Sequence, residues 1–353
     1  MAEGVHADFG TALVIPTAVW ETVEALHGRR WPPQSEAEAD AFIIAAGAES
    51  LLPLLYEEPS LPAPVAAALP RHRAMLRVYE QRSKLLQNAA KEVCGWMRDE
   101  PFLFYKGIDY AYRLYAKPSL RPMRDLDVLV PPERIDAVGA ILVAQGFERV
   151  FPGGAVTRLA SHHERSYVGR GYAIDLHHSF IQRPRHRIDY EEVWRERERF
   201  AIDGVEAWRL APHHALVVHA LAMAIDEFAV PVLRYLDLRL MFDAVPAAID
   251  VAKRWQCVRA LYGALRQSAR VFPDLDVEGL VASLLPASTR HHLDQNVLPD
   301  VHSVPPPLTR ARQLRVKFHL LDSATRRAMF AAYHAYALIA GRLAARQRGA
   351  SST

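Results

Sequence analysis

Residues 102–130 read FLFYKGIDYAYRLYAKPSLRPMRDLDVLV, and this stretch decides the fold. Phe102 to Tyr105 is a continuous apolar and aromatic run, which predicts a buried strand. Lys106-Gly107 supplies a tight basic turn, Ile108 to Tyr115 has helix-compatible spacing, and Lys117-Pro118 stops that helix. A second strand follows, Asp125-Leu126-Asp127-Val128-Leu129-Val130. Side chains on a strand alternate faces, so Asp125 and Asp127 point one way while Leu126, Val128 and Val130 enter the opposite, buried face. Two carboxylates held one pleat apart can share a divalent cation.

Upstream, residues 1 to about 100 read as helical. Ser35-Glu36-Ala37-Glu38 has the pattern of a capping box before Phe42-Ile43-Ile44, and Pro32-Pro33 marks a break ahead of it. A Pro-rich connection spans Pro53 to Pro70. A long helix then carries Leu76, Tyr79, Ser83, Leu86, Ala90, Val93 and Met97 at alternating steps of three and four, a stripe that predicts packing on the sheet it leads into.

Downstream, Pro131-Pro132-Glu133 starts a helix with Ile135, Val138 and Leu142 on its buried side, and Gly146 stops it. Phe147 to Val150 reads as a short strand and Gly153-Gly154 as a turn. Ser166 to Val168 and Tyr172 to His177 form a predicted hairpin across Gly169-Arg170-Gly171. Ala173, Asp175 and His177 share one face of the second run, which sets Asp175 on a strand neighbouring the first carboxylates. Residues 180 to 205 are charged and arginine-rich, from Arg183 to Arg199, and read as a bridge between domains; interleaved Glu191, Glu192, Glu196 and Glu198 favour a solvated face. The rest is helical, with one helix opened by Pro212 and another from Val232 to Val245. On the latter Arg234 and Asp237 lie three apart, placed either to pair with each other or to project together into a cleft.

The ordered set Lys106-Gly107, Arg121, Asp125 and Asp127 resembles the active-site segment of the DNA polymerase beta superfamily of nucleotidyltransferases. It is closer to a bacterial branch of uncharacterised nucleotidyltransferases, with a Lys-Gly turn and an Arg-x-x-x-Asp-x-Asp strand. The broader superfamily carries Gly-Ser in place of Lys106-Gly107. The resemblance spans roughly residues 40 to 250 and implies an α+β fold, a small mixed sheet with helices, flanked by helical regions. The expected division is 1–100 N-terminal helices, 101–205 nucleotidyltransferase core, 206–345 C-terminal helices and 346–353 a polar tail.

The resemblance implies a third metal-binding carboxylate on a neighbouring strand, for which Asp175 in Ile-Asp-Leu-His-His is the candidate. It also implies a helix with an Arg-x-x-Asp after an upstream histidine, matched by Arg234, Asp237 and His219. Nucleotidyl transfer needs hard oxygen ligands for two magnesium ions, and Asp125, Asp127 and Asp175 fill that role. Lys106 and Gly107 follow the first strand, where a helix N-terminus meets a phosphate. Arg121 either grips a phosphate bidentately or pairs with a nearby acid. His177, on the Asp175 face, orients a ligand or water, or is structural. The expected activity is magnesium-dependent transfer of a nucleoside monophosphate from an NTP, ATP being the expected donor, to a hydroxyl of an acceptor. That acceptor is a small molecule, a peptide, a protein or a tRNA. A nucleotide-binding sensor or scaffold that keeps the fold is the alternative, and a metal-dependent phosphohydrolase a third.

Bulk properties agree with a two- or three-domain globular chain: 353 residues, half of them hydrophobic, and a formal charge of +3 from 43 basic and 40 acidic residues. That charge supplies no global field toward nucleic acid or membrane. The apolar stretch at 215–232 is interrupted by His219, Asp226 and Glu227, and the N-terminus lacks a signal pattern. A cytoplasmic location is therefore expected, with Cys94 and Cys257 as buried, unpaired thiols. The pairs His162-His163, His177-His178 and His213-His214 are adjacent rather than at ligand spacing and have no cysteine with them, so zinc is not expected.

Overall fold

A computed structural model of the chain describes residues 15–150, 163–181, 185–301 and 309–336. The Gly153-Gly154 turn, Arg183 and the 346–353 tail lie outside the described residues. The architecture is α+β, as expected: a seven-stranded mixed sheet with helices before and after it in sequence. The strands are β1 (Leu103–Tyr105), β2 (Leu126–Leu129), β3 (Glu148–Val150), β4 (Glu164–Gly169), β5 (Tyr172–His177), β6 (Glu198–Ile202) and β7 (Val205–Arg209). Their spatial order is β3-β4-β5-β2-β1-β7-β6, so the acidic strand β2 is central. β2 runs antiparallel to β1 and parallel to β5.

Alternation along these strands divides the molecule. Leu126, Val128 and Val130, Ile174 and Leu176, and Phe104 enter one apolar core, together with Leu86, Ala90 and Val93 of the long helix Arg73–Trp96 and Ile135, Val138 and Leu142 of the helix Ile135–Ala144. From Leu86 to Met97 the predicted stripe packs on the sheet as expected, while Leu76 and Tyr79 pack in the other core with the N-terminal helices, Tyr79 OH donating to the Gly47 carbonyl. Ser83, its one polar member, is buried and accepts from Gln87 Nε2 at 2.8 Å. Tyr105, Asp127, Asp175 and His177 take the other face. A second core there joins Tyr105, Leu129 and Phe180 to the C-terminal helices.

The N-terminal helices also follow local chemistry. Ser35 caps the helix Glu36–Ala48 by accepting from the Glu38 N–H, while the Glu38 carboxylate reaches the Gln34 N–H at 2.6 Å. The segment after 180, read as a bridge, instead builds a sheet edge. Tyr190–Arg195 is a short helix, and β6 and β7 form a hairpin whose turn residues Asp203 and Gly204 have φ of 47° and 87°. β7 then pairs parallel with β1, so the sheet extends through Arg209. Cys94 and Cys257 are free and buried, and burial pushes the Cys94 thiol up to about 11. Among the described residues no helix is long and apolar enough to cross a membrane.

Candidate active site

Register assembles the site. Asp127 lies beside Asp175 on the adjacent parallel strands β2 and β5, Tyr105 lies opposite Asp127 across β1, and Ser166 of β4 lies opposite Asp175. Directly paired residues share a face, so these side chains form one row across four strands. Asp125 comes one residue before β2 begins. The row opens into a cleft of about 570 Å³. Its walls include Lys106, Gly107, Arg121, Asp125, Asp127, Asp175, His177 and Arg234. With His219, nine residues singled out in the sequence therefore meet in one cavity. Asp237 does not line it.

Lys106 sits between β1 and the helix Gly107–Leu114 with φ 56° and ψ −120°. Positive φ is uncommon for a residue with a Cβ and costs about 1–3 kcal/mol. The special backbone conformation at this turn thus falls on Lys106, not on Gly107. Its ammonium donates to Asp127 Oδ1 at 2.8 Å, and the neighbouring Tyr105 ring lies 4.8 Å beneath it. Gly107 has no steric need to be glycine, because a Cβ there would meet Met123 at an ordinary 3.5 Å.

Asp127 is buried and also lies 3.1 Å from His177 Nε2. Burial alone would raise its pKa, but Lys106 and His177 hold the carboxyl well below its usual range. Asp125 goes the other way: burial first, then the charges of Asp127 and Asp175, pushes it up to about 7. Burial also opposes the charge of Lys106, but Asp127 outweighs it and keeps the ammonium above its ordinary pKa. One carboxylate is thus held ionised while its neighbour is left half-protonated near neutrality. Asp127, Asp175 and His177 each offer a donor atom, and these lie within 4.8 Å of one another, a set of hard oxygens and one imidazole that fits a divalent cation.

The elevated Asp125 makes a pH prediction. Its folded pKa exceeds the unfolded value of 3.8, so the folded state binds more protons and stability falls as pH rises from about 4 to about 7. In chelator-treated buffer, Asp125→Asn therefore stabilises the fold at pH 8 by at least about 1 kcal/mol. At pH 4 the change is near zero. Urea unfolding at the two pH values checks this, and an equal effect at both would contradict it.

Arg121 and Asp237 resolve together. Arg121 reaches across 116 residues to Asp237 with Nε–Oδ1 at 3.0 Å and NH2–Oδ2 at 2.7 Å. Asp237, 0% exposed, also accepts from Tyr115 OH at 2.9 Å. Of the two readings of Arg121, the acid pair is the one formed, and Asp237 neither faces the cleft nor pairs with Arg234. Arg234 lines the cleft and binds Asp226 at 2.8 Å, while His219 Nε2 donates to the Arg234 carbonyl at 2.8 Å. Glu164 lines the cleft and escaped sequence reading, and His163, read only as one of an adjacent pair without ligand spacing, lines it too. β4 begins at Glu164, two residues earlier than its apolar run suggests, which puts Glu164 opposite His177. Burial and His177 push His163 down to about 3, and burial raises Glu164.

No curated protein matches the chain. An antigenic nucleotidyltransferase-like protein from Paracoccidioides brasiliensis is similar in structure at 17% identity, with a TM-score of 0.38 over 60% of this chain and 98% of that one, a likeness too loose to build on. The profile of the family described as uncharacterised nucleotidyltransferase matches residues 35–273, which takes in both the sheet and the helices that close the cleft. The chain belongs to that family of uncharacterised nucleotidyltransferases.

Proposed function

We propose that the cleft catalyses magnesium-dependent transfer of a nucleoside monophosphate from an NTP, with ATP as the expected donor, to a hydroxyl of an acceptor. The observation that carries this reading is the row of Asp127 and Asp175 on paired strands, with Asp125 two residues before Asp127 and Lys106 bonded to Asp127. In the reaction a bond forms between the acceptor oxygen and the α-phosphorus. The bond from that phosphorus to the bridging oxygen breaks, and pyrophosphate leaves. Bound at Asp125, Asp127 and Asp175, magnesium would supply Lewis acidity for the charge that develops on the phosphate oxygens. Asp175, on the strand paired with that of Asp127, would take the hydroxyl proton. Lys106 and the first N–H groups of the helix Gly107–Leu114 would hold the triphosphate, and Arg234, which also lines the cleft, adds charge. His177 keeps Asp127 oriented.

The test is pyrophosphate release with each of the four NTPs and magnesium, using cell extract as the acceptor source. Release that depends on Asp127 supports the reading. Tight magnesium-dependent nucleotide binding with no release would favour a sensor or scaffold instead, and phosphate in place of pyrophosphate would favour a hydrolase. Lys106→Met is expected to weaken NTP binding about tenfold or more, the worth of a hydrogen bond to a charged group. Calorimetric titration with a non-hydrolysable NTP measures it, and unchanged affinity would remove Lys106 from the phosphate site.

A further inference from the structure

A second cluster lies away from the cleft, where the turn before β6 meets the start of the helix Pro212–Ile225. Glu196 Oε2 is 3.1 Å from His213 Nε2 and 3.9 Å from His214 Nε2. Donor atoms of all three residues lie within 4.8 Å of one another. His214 is 0% exposed, stacked on Trp255 with ring planes 11° apart, and neither of its ring nitrogens has a hydrogen-bond partner. A buried imidazole with both nitrogens unsatisfied is costly, and its Nε2 points at two carboxylates, Glu196 and Glu192, each 3.9 Å away.

We infer that Glu196, His213 and His214 form a site for a divalent transition-metal ion of the zinc class, with solvent at the remaining position. Two imidazoles and one carboxylate suit such an ion, and bonds near 2.1 Å place tetrahedral ligand atoms about 3.4 Å apart. The observed 3.1 and 3.9 Å bracket that spacing. Adjacent histidines on a helix normally diverge, but these occupy its first turn, with ring centroids 4.3 Å apart. A helix N-terminus disfavours a cation. Glu196 offsets this: Arg195 holds its Oε1 at 3.2 Å and leaves Oε2 facing the histidines, while Arg254 is matched by Glu192, which also accepts from Trp255 Nε1 at 3.1 Å. The third ligand comes from 17 residues upstream, which is why the His-His pair alone gave no signal. The ion ties the sheet edge to a helix whose His219 and Ala222 line the cleft.

The test titrates cobalt into metal-stripped full-length protein carrying Asp125→Asn, Asp127→Asn, Glu164→Gln and Asp175→Asn, which removes the carboxylates of the catalytic row and of the neighbouring His163-Glu164-His177 group. The expected result is one saturable cobalt per chain with d–d absorption, displaced by zinc. Glu196→Gln and His213→Gln, both on partly exposed side chains, each weaken it at least about tenfold. No saturable binding, or binding that neither variant changes, overturns the site. Because the cleft acids are already replaced, neither outcome bears on nucleotide transfer.

Discussion

Asp127→Asn lowers nucleotidyl transfer by about 10³-fold or more, because it removes a charge that both the cation and Lys106 need in the transition state. The shape of the side chain is kept and the strand register does not depend on it, so circular dichroism and the unfolding transition stay cooperative. Some stability is lost, since Lys106 remains half-buried without its partner carboxylate. That loss depends on pH. The folded pKa of Asp127 is depressed, so its contribution is present above the unfolded value near 3.8 and disappears as pH falls through the folded pKa. Wild type and variant therefore converge in stability at acid pH and separate at neutral pH, whereas the activity defect persists wherever the wild type works. Near wild-type transfer by Asp127→Asn would remove the carboxylate row from the chemistry.

Arg121→Ala produces the largest stability defect. It strands the Asp237 carboxylate, 0% exposed, with only the Tyr115 hydroxyl, and removing one member of a buried pair costs about 3–5 kcal/mol. Arg121→Lys recovers part of this, because one ammonium cannot reproduce the two-pronged contact. Replacing both partners by apolar residues, Arg121→Met with Asp237→Leu, is much less damaging than Arg121→Ala alone, since no charge is left buried. Denaturant midpoints across the four proteins check the order. The functional consequence is a rise in KM for NTP, as the pair holds the helix Val232–Leu240, and with it Arg234, against the turn that carries Lys106. If Arg121 instead gripped a phosphate directly, Arg121→Ala would cost affinity with little loss of stability.

What could be read without coordinates follows from the range of each interaction. The Asp125-Leu126-Asp127-Val128 alternation, the Ala173-Ile174-Asp175-Leu176-His177 alternation and the stripe from Leu86 to Met97 are local patterns, and each fell where its periodicity placed it. The capping of the second helix by Ser35 is equally local. The β6–β7 hairpin was missed although Asp203-Gly204 is a strong turn signal. Its strands expose Glu198, Phe200 and Glu206 in part and carry alternating charge, which reads as a solvated surface. Glu164 escaped because a strand end next to charged residues has no apolar run to mark it. The partner of Arg121 was not legible at all: Asp237 is 116 residues away, and only the packing of the C-terminal helices on the sheet brings them together. Lys106 gives a mixed case. Its type and place were evident, but its positive φ appears only in the folded chain.

The measurement that tests the central reading most directly follows two labels through one reaction. NTP labelled at the α-phosphorus, and separately at the γ-phosphorus, is incubated with magnesium, extract and either wild type or Asp127→Asn. The account predicts that α-label becomes attached to an acceptor in the wild-type reaction only, while γ-label leaves as pyrophosphate. Transfer of γ-label to the acceptor, or release of γ-label as free phosphate with none retained from the α-position, would contradict it.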